Sequence, residues 1–183
     1  MNAVVKSKPN KQYFGKYQGT VTQNIDPLGR GRLQVTVPDV LGLLPCTWAE
    51  ACAPLAGPTG PPMGVYMVPP IGAGVWVEFE KGDPSLPIWT GCRWGSRSDV
   101  PTLAQAGLPT SPNIVMQTLG QHTLMISDMA PTPATGGIVL KSATNAMIVV
   151  NDSGIYISNG KGATIQLVGT SIDFNQGALT ILK

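Results

Sequence analysis

Over the last third of the chain, apolar residues recur in pairs split by a single residue. From Gly137 to Lys183 the pairs are Ile138/Leu140, Ile148/Val150, Ile155/Ile157, Ile165/Leu167, Ile172/Phe174 and Leu179/Ile181. Successive pairs start ten, seven, ten, seven and seven positions apart, and the gaps carry Gly, Asn, Ser, Thr, Asp, Lys and Gln. Alternation with a period of two predicts short β-strands, each with one apolar face. The segment offers no helix or second sheet to cover those faces. Stacking against copies of itself would do so, which is the logic of repeat architectures. The ladder therefore predicts a β-helix or β-prism, most simply one wound from several chains.

The first half has a different rhythm. Tyr17, Gly19 and Val21 alternate with Gln18, Thr20 and Thr22, predicting a strand that ends near Ile25. Asp26-Pro27-Leu28-Gly29 reads as a turn, with Pro fixing φ and Gly free to take a positive one. Arg30 to Pro38 reads as the returning strand, with Leu33, Val35 and Val37 on one face. A shorter third strand is expected over Thr47–Ala53, followed by a long Pro- and Gly-rich connection to Pro70. Val75, Val77 and Phe79 mark a fourth strand, and Leu86–Trp94 a fifth. Five strands with a long connection after the third predict a small closed barrel of the OB type. The pattern breaks after Gly95. The expected organisation is thus all-β: a flexible arm over 1–12, a barrel over 13–95, a linker over 96–113 and the ladder over 114–183.

Composition supports a turn-rich β protein. Charged residues make up only 12% of the 183, while Gly and Pro contribute 22 and 17 residues, so polarity comes from uncharged side chains. A net charge of +2 is too small for a strong nucleic-acid or membrane reading. No apolar run is long enough to cross a bilayer, and the first residues lack a secretory core, so synthesis and assembly in a cytoplasm are expected. Cys46, Cys52 and Cys92 form no metal or redox spacing and read as buried free thiols.

Candidate chemistry is sparse. There is no HExxH, no nucleophile with a plausible His partner, and no phosphate loop between strand and helix. The single histidine, His122, reads as a structural residue in a polar strand. Trp48, Trp76, Trp89 and Trp94 could stack bases in an OB barrel, but Glu50, Glu78, Glu80 and Asp83 lie among them in place of a basic groove. Their expected role is packing, so no nucleic-acid partner is expected. A nucleic-acid- or glycan-binding module is the alternative reading. No catalytic residue, cofactor or metal ligand is expected.

Several phrases of the first half carry a resemblance: GTVTQNIDPLGRGRLQVTVP, WAEACAP and PPIGAGVWVEFEKGDPSLPIWTGCRWG. Together they resemble the OB domain of phage baseplate assembly protein V, shared with the spike proteins of type VI secretion and related contractile injection systems. The matching elements fall at Asp26–Arg30, Val37–Pro38, Trp48–Ala49, Pro70–Phe79, Gly82–Pro84 and Pro87–Gly95. The resemblance implies a homotrimer whose C-terminal strands intertwine into a triple-stranded β-helix, a membrane-piercing needle in transient contact with the target cell envelope. Relatives with a muramidase insert carry it after the barrel, where this chain has too little room. Relatives with an iron-bound tip hold it with His-x-His motifs, and this chain has only His122.

On that resemblance the chain is expected to be the central spike of a contractile phage tail baseplate or related injection particle, built in a bacterial cytoplasm. The trimer core would be made by Ile138, Leu140, Ile148, Val150, Ile155, Ile157, Ile165, Leu167, Ile172, Phe174, Leu179 and Ile181. Burying each such side chain contributes about 1.5–3 kcal/mol. A separate hub protein would meet the barrel and its basic arm through Lys11, Lys16, Arg30 and Arg32. A PAAR-type tip protein would cover the far end at Leu179, Ile181, Leu182 and Lys183.

Overall fold

The computed structural model describes residues 11–57 and 60–182, with side chains described as far as Leu179. Most of the expected 1–12 arm, and Lys183, lie outside the described residues. The chain is nearly all β-structure and divides into two units after Gly95.

The first unit is a five-stranded sheet that curls on itself. Its strands are β1 (Tyr17–Gln23), β2 (Gln34–Thr36), β3 (Glu50–Ala51), β4 (Gly74–Phe79) and β5 (Pro87–Arg93), in the order β2-β1-β4-β5-β3. All neighbours are antiparallel except β3 and β5. The two outer strands meet as well. Leu33 and Ala49 exchange both backbone hydrogen bonds, at 3.1 and 2.7 Å, and the Cys46 N–H donates to the Val35 carbonyl at 2.8 Å. Val21, Leu33, Val35, Val37, Ala49, Val75 and Val77 fill the interior and are almost wholly buried, which is the alternation written in the sequence. Register shifts between Val21 and Gln23 and between Trp76 and Val77 supply the extra curl that bulges give a sheet.

Two strands are shorter than the pattern suggested. The return after the first turn is regular only over Gln34–Thr36, because the N–H groups of Arg30 and Arg32 donate to the Asp26 carboxylate instead of to a neighbouring strand. At its far end Pro38 opens a single helical turn, α1 (Pro38–Leu41), whose Val40 and Leu41 lie against the core. Proline suits that position because its missing N–H would have no helical acceptor. The third strand narrows to Glu50–Ala51, with Ala49 turned to close the barrel.

The second unit is one antiparallel meander of eight strands in sequence order. They are β6 (Ile114–Gln117), β7 (Thr123–Ser127), β8 (Gly137–Lys141), β9 (Met147–Asn151), β10 (Gly154–Ser158), β11 (Thr164–Val168), β12 (Ser171–Phe174) and β13 (Leu179–Leu182). The connections explain the spacing of ten and seven. Along one edge the chain turns in five residues at 118–122, 142–146 and 159–163 and in four at 175–178; along the other it turns in two at 152–153 and 169–170 and runs through a longer connection at 128–136. The five-residue turns share a closing bond: Thr118, Ser142 and Asn159 N–H groups donate to the His122, Ala146 and Ala163 carbonyls at 2.8–3.1 Å. His122 thus sits in a turn rather than in the strand expected for it. Gly137 holds φ +72°, and a Cβ there would collide with the Val150 carbonyl, so only glycine suits the start of β8.

The 96–113 segment, expected as a linker, holds structure of its own. It contains a short helix, α2 (Thr102–Gln105), tied by Gln105 to the Arg97 carbonyl at 2.9 Å.

Candidate functional site

The ladder's pairs line up across the sheet. One file runs Ile114–Ile126–Ile138–Val150–Ile155–Leu167–Ile172–Ile181, each residue directly opposite the next. The second runs Met116–Leu124–Leu140–Ile148–Ile157–Ile165–Phe174–Leu179. Because side chains alternate across a strand, both files project from one face. Twelve of these side chains are 36–65% exposed, while Ile165, Leu167 and Phe174 are half-buried. The side chain of Ile181 lies outside the described residues. This is a continuous apolar stripe, two residues wide and eight strands long, left largely uncovered among the described residues. Isolated exposed apolar residues are ordinary on proteins; a contiguous stripe marks a contact face.

The sequence pattern located eleven of the described stripe residues but began the stripe at β8. Ile114, Met116, Leu124 and Ile126 extend it through β6 and β7. Their signal was the same period-two pairing, Ile114/Met116 and Leu124/Ile126, masked by the nine-residue connection at 128–136.

The opposite face was not foreseen. Between the two files, on the reverse side, runs Val115–Met125–Val139–Val149–Tyr156–Gln166–Asp173. From Met125 to Tyr156 these side chains are buried, with Leu103 of α2, Val115 and Met147 against them. Asn113 donates its amide to the Leu103 carbonyl at 2.7 Å and so fixes α2. Asn151 donates to the Thr132 and Thr135 carbonyls at 2.8 and 3.1 Å, holding the 128–136 connection. The Tyr156 hydroxyl meets that of Ser153 at 2.9 Å. A helix does cover part of the ladder, then, but on the face away from the stripe. Beyond Tyr156 the reverse file turns polar.

The four basic candidates on the barrel fall at opposite ends. Lys11 and Lys16 precede β1; Lys11 Nζ lies 5.0 Å from the centre of the Tyr13 ring, and Lys16 bonds Glu78 and Thr90, both at 2.9 Å. Arg30 and Arg32 sit in the β1–β2 turn at the other end. Arg30 pairs with Glu50 at 2.8 Å, and Arg32 with Asp26 at 2.7 Å. Arg32 also lies over the Trp48 ring at 5.6 Å. The Arg32 guanidinium, aided by the N–H groups of Leu28, Arg30 and Arg32, holds the Asp26 carboxyl well below the usual carboxylate range.

Trp89 is buried and donates its indole N–H to the Gly31 carbonyl at 3.0 Å. Trp48 and Trp76 are half-buried, and Trp94 is presented to solvent. Of the three thiols expected to be buried only Cys46 is, and Cys52 and Cys92 are exposed instead; burial pushes the Cys46 thiol up, and partial burial does the same to Cys92. Among the described residues no group of three His, Cys, Asp or Glu could hold a metal ion, and no helix is long and apolar enough to cross a membrane.

Residues 17–94 match the type VI secretion system/phage-baseplate injector OB domain, and residues 113–180 match the phage baseplate V C-terminal trimerisation domain. No curated protein matches the chain.

Proposed function

The chain belongs to the phage baseplate V family, with both its OB and its trimerisation domain, and is a structural baseplate protein; we propose that it is the trimeric central spike joining a hub to a membrane-piercing needle. The observation that carries this reading is the uncovered apolar stripe. Three copies turned inward around one axis bury three stripes in a common core. The twelve residues from Ile138 to Ile181, with Ile114, Met116, Leu124 and Ile126, then form the trimer core. Each covered reverse face becomes outer wall. Winding three chains together makes every level of the needle depend on all three, so that no strand peels away singly under axial load.

The hub contact falls to the barrel end that carries Lys11 and Lys16. Phe14, Leu43 and Leu44 are all more than 60% exposed there, with Leu43 and Leu44 held just beyond α1. Arg30 and Arg32 act within the chain, pairing with Glu50 and Asp26. At the needle's far end, β13 is the outer strand of the sheet, and a separate PAAR-type tip would seat there through Leu179, Ile181, Leu182 and Lys183. This reading assigns the chain no catalytic step and no cofactor.

Native mass spectrometry of the full-length protein tests the proposal. The expected result is a threefold mass that persists on dilution. A folded single copy would overturn it.

A further inference from the structure

Where the reverse face of the ladder meets the edge with the five-residue turns, it holds a polar recess of about 220 Å³. A row of directly opposed residues, Gln117, Thr123 and Lys141, lines it. Each stands two positions from Val115, Met125 or Val139 and so shares their face. Thr102 and Leu103 of α2 line it as well, with Gln121, Ser142 and Asn145 of two neighbouring turns. The Thr123 hydroxyl lies 3.2 Å from the Gln121 carbonyl and 3.4 Å from Gln117 Oε1. Gln117 thus meets Thr123 through its oxygen and keeps its NH2 group for another partner. Among the described residues, the side-chain amides of Gln117, Gln121 and Asn145 donate to no protein acceptor. No carboxylate among them pairs with the half-buried Lys141 ammonium, and no Asp or Glu lines the recess.

We propose that this recess is a binding site for a phosphate group. Its charge selects an anion, because the lining offers a cation with no acid to neutralise it. Its donors select the kind of anion. An ammonium and three side-chain amides offer more N–H groups than the two oxygens of a carboxylate can accept, whereas a phosphate presents further oxygens in a tetrahedron. Lysine serves phosphate as a point charge that needs no forked geometry. The size fits too: pockets for drug-sized ligands run from about 300 to 1,000 Å³, so a smaller recess suits a head group. All the lining residues come from one chain and lie away from the apolar stripe, so the site needs no second copy. A free phosphate ion and the phosphate of a membrane lipid present the same chemistry, and the test separates them.

Two measurements on the full-length protein test this: calorimetric titration with inorganic phosphate at fixed ionic strength, and flotation with phosphatidylcholine vesicles that contain or lack phosphatidic acid. Saturable binding is expected, and Lys141→Gln is expected to weaken it about tenfold by removing one charged donor. Gln117→Glu keeps an oxygen toward Thr123 but brings a negative charge to the recess, and is expected to weaken binding at least as much. Lys161→Gln removes a cation from the same edge but outside the recess, and screening is expected to hold its effect within about twofold. Thermal melts confirm that each variant is folded. Co-flotation that requires both phosphatidic acid and Lys141 would support the site and assign the lipid source; phosphate binding without co-flotation would support it and assign the free ion. Neither saturable binding nor co-flotation would overturn the proposal. Equal losses in Lys141→Gln and Lys161→Gln would overturn it too, because diffuse surface charge would then account for the binding.

Discussion

Asp26 shows how much one side chain organises at the mouth of the barrel. Its carboxylate accepts backbone N–H bonds from Leu28, Arg30 and Arg32 at 2.9, 2.8 and 3.3 Å, and the Arg32 guanidinium grips both oxygens. All these donors favour the charged form, so the folded-state pKa lies below its unfolded value. The sign follows from linkage. A carboxyl depressed on folding contributes stability that is present above its unfolded pKa, about 3.9, and is lost as pH falls through the folded pKa. Thermal melts of the barrel transition are therefore expected to fall between about pH 4 and pH 2. Asp26→Asn is expected to lower the neutral-pH melting temperature by several degrees and to flatten that acid limb. An unchanged acid limb in the variant would show that other carboxylates govern it. The turn was legible from Asp26-Pro27-Leu28-Gly29. The pairing of Arg32 was not, because the sequence places acidic partners for it in several later segments as readily as six residues back.

In the ladder strands, two adjacent residues have opposite duties. Ile148 projects from β9 into the open stripe, and Val149 is completely buried on the reverse face. Ile148→Asp would set three carboxylates near one axis, where desolvation opposes their charge. It is expected to abolish the threefold mass in native spectrometry, as is Ile157→Asp. Val149→Ala removes two methyl groups from a closed site, costing about 2 kcal/mol, and is expected to lower the melting temperature with the threefold mass retained. Identical oligomeric states for Ile148→Asp and Val149→Ala would refute the division of faces. The stripe could be read from the sequence because both of its files repeat every second residue with Gly and Asn turns between. The reverse core was hidden in the same letters. Val139, Val149 and Tyr156 stand inside the pairs, where a strict two-apolar reading passes over them, and their cover comes from Leu103, in a segment that composition alone marks as a linker. The barrel's short strands were misjudged for a related reason: backbone groups near Arg30 and Pro38 bond to a side chain or turn into α1, a choice that alternation does not encode.

At the scale of the whole molecule, cover is unevenly distributed along the ladder, and this sets where it depends on its partner copies. Strands β7 to β10 have a reverse core of Met125, Val139, Val149 and Tyr156 within each chain. In β11 and β12 the same file becomes Gln166 and Asp173, so the described apolar side chains those strands offer for burial lie mainly in the stripe. Eight strands at about 4.8 Å spacing make the ladder roughly 34 Å long, and the reverse file of its second half is polar. Hydrogen exchange resolves such local differences, since each amide reports the cheapest opening that exposes it. In the trimer, β9 and β12 amides are expected to share slow exchange, because opening either exposes a core made by three chains. In monomeric Ile148→Asp protein, β9 is expected to keep measurable protection while β12 exchanges at nearly the rate of an open chain. Equal protection of β9 and β12 in the monomer would show that the single chain holds its far strands unaided, and that trimerisation is not what stiffens the ladder.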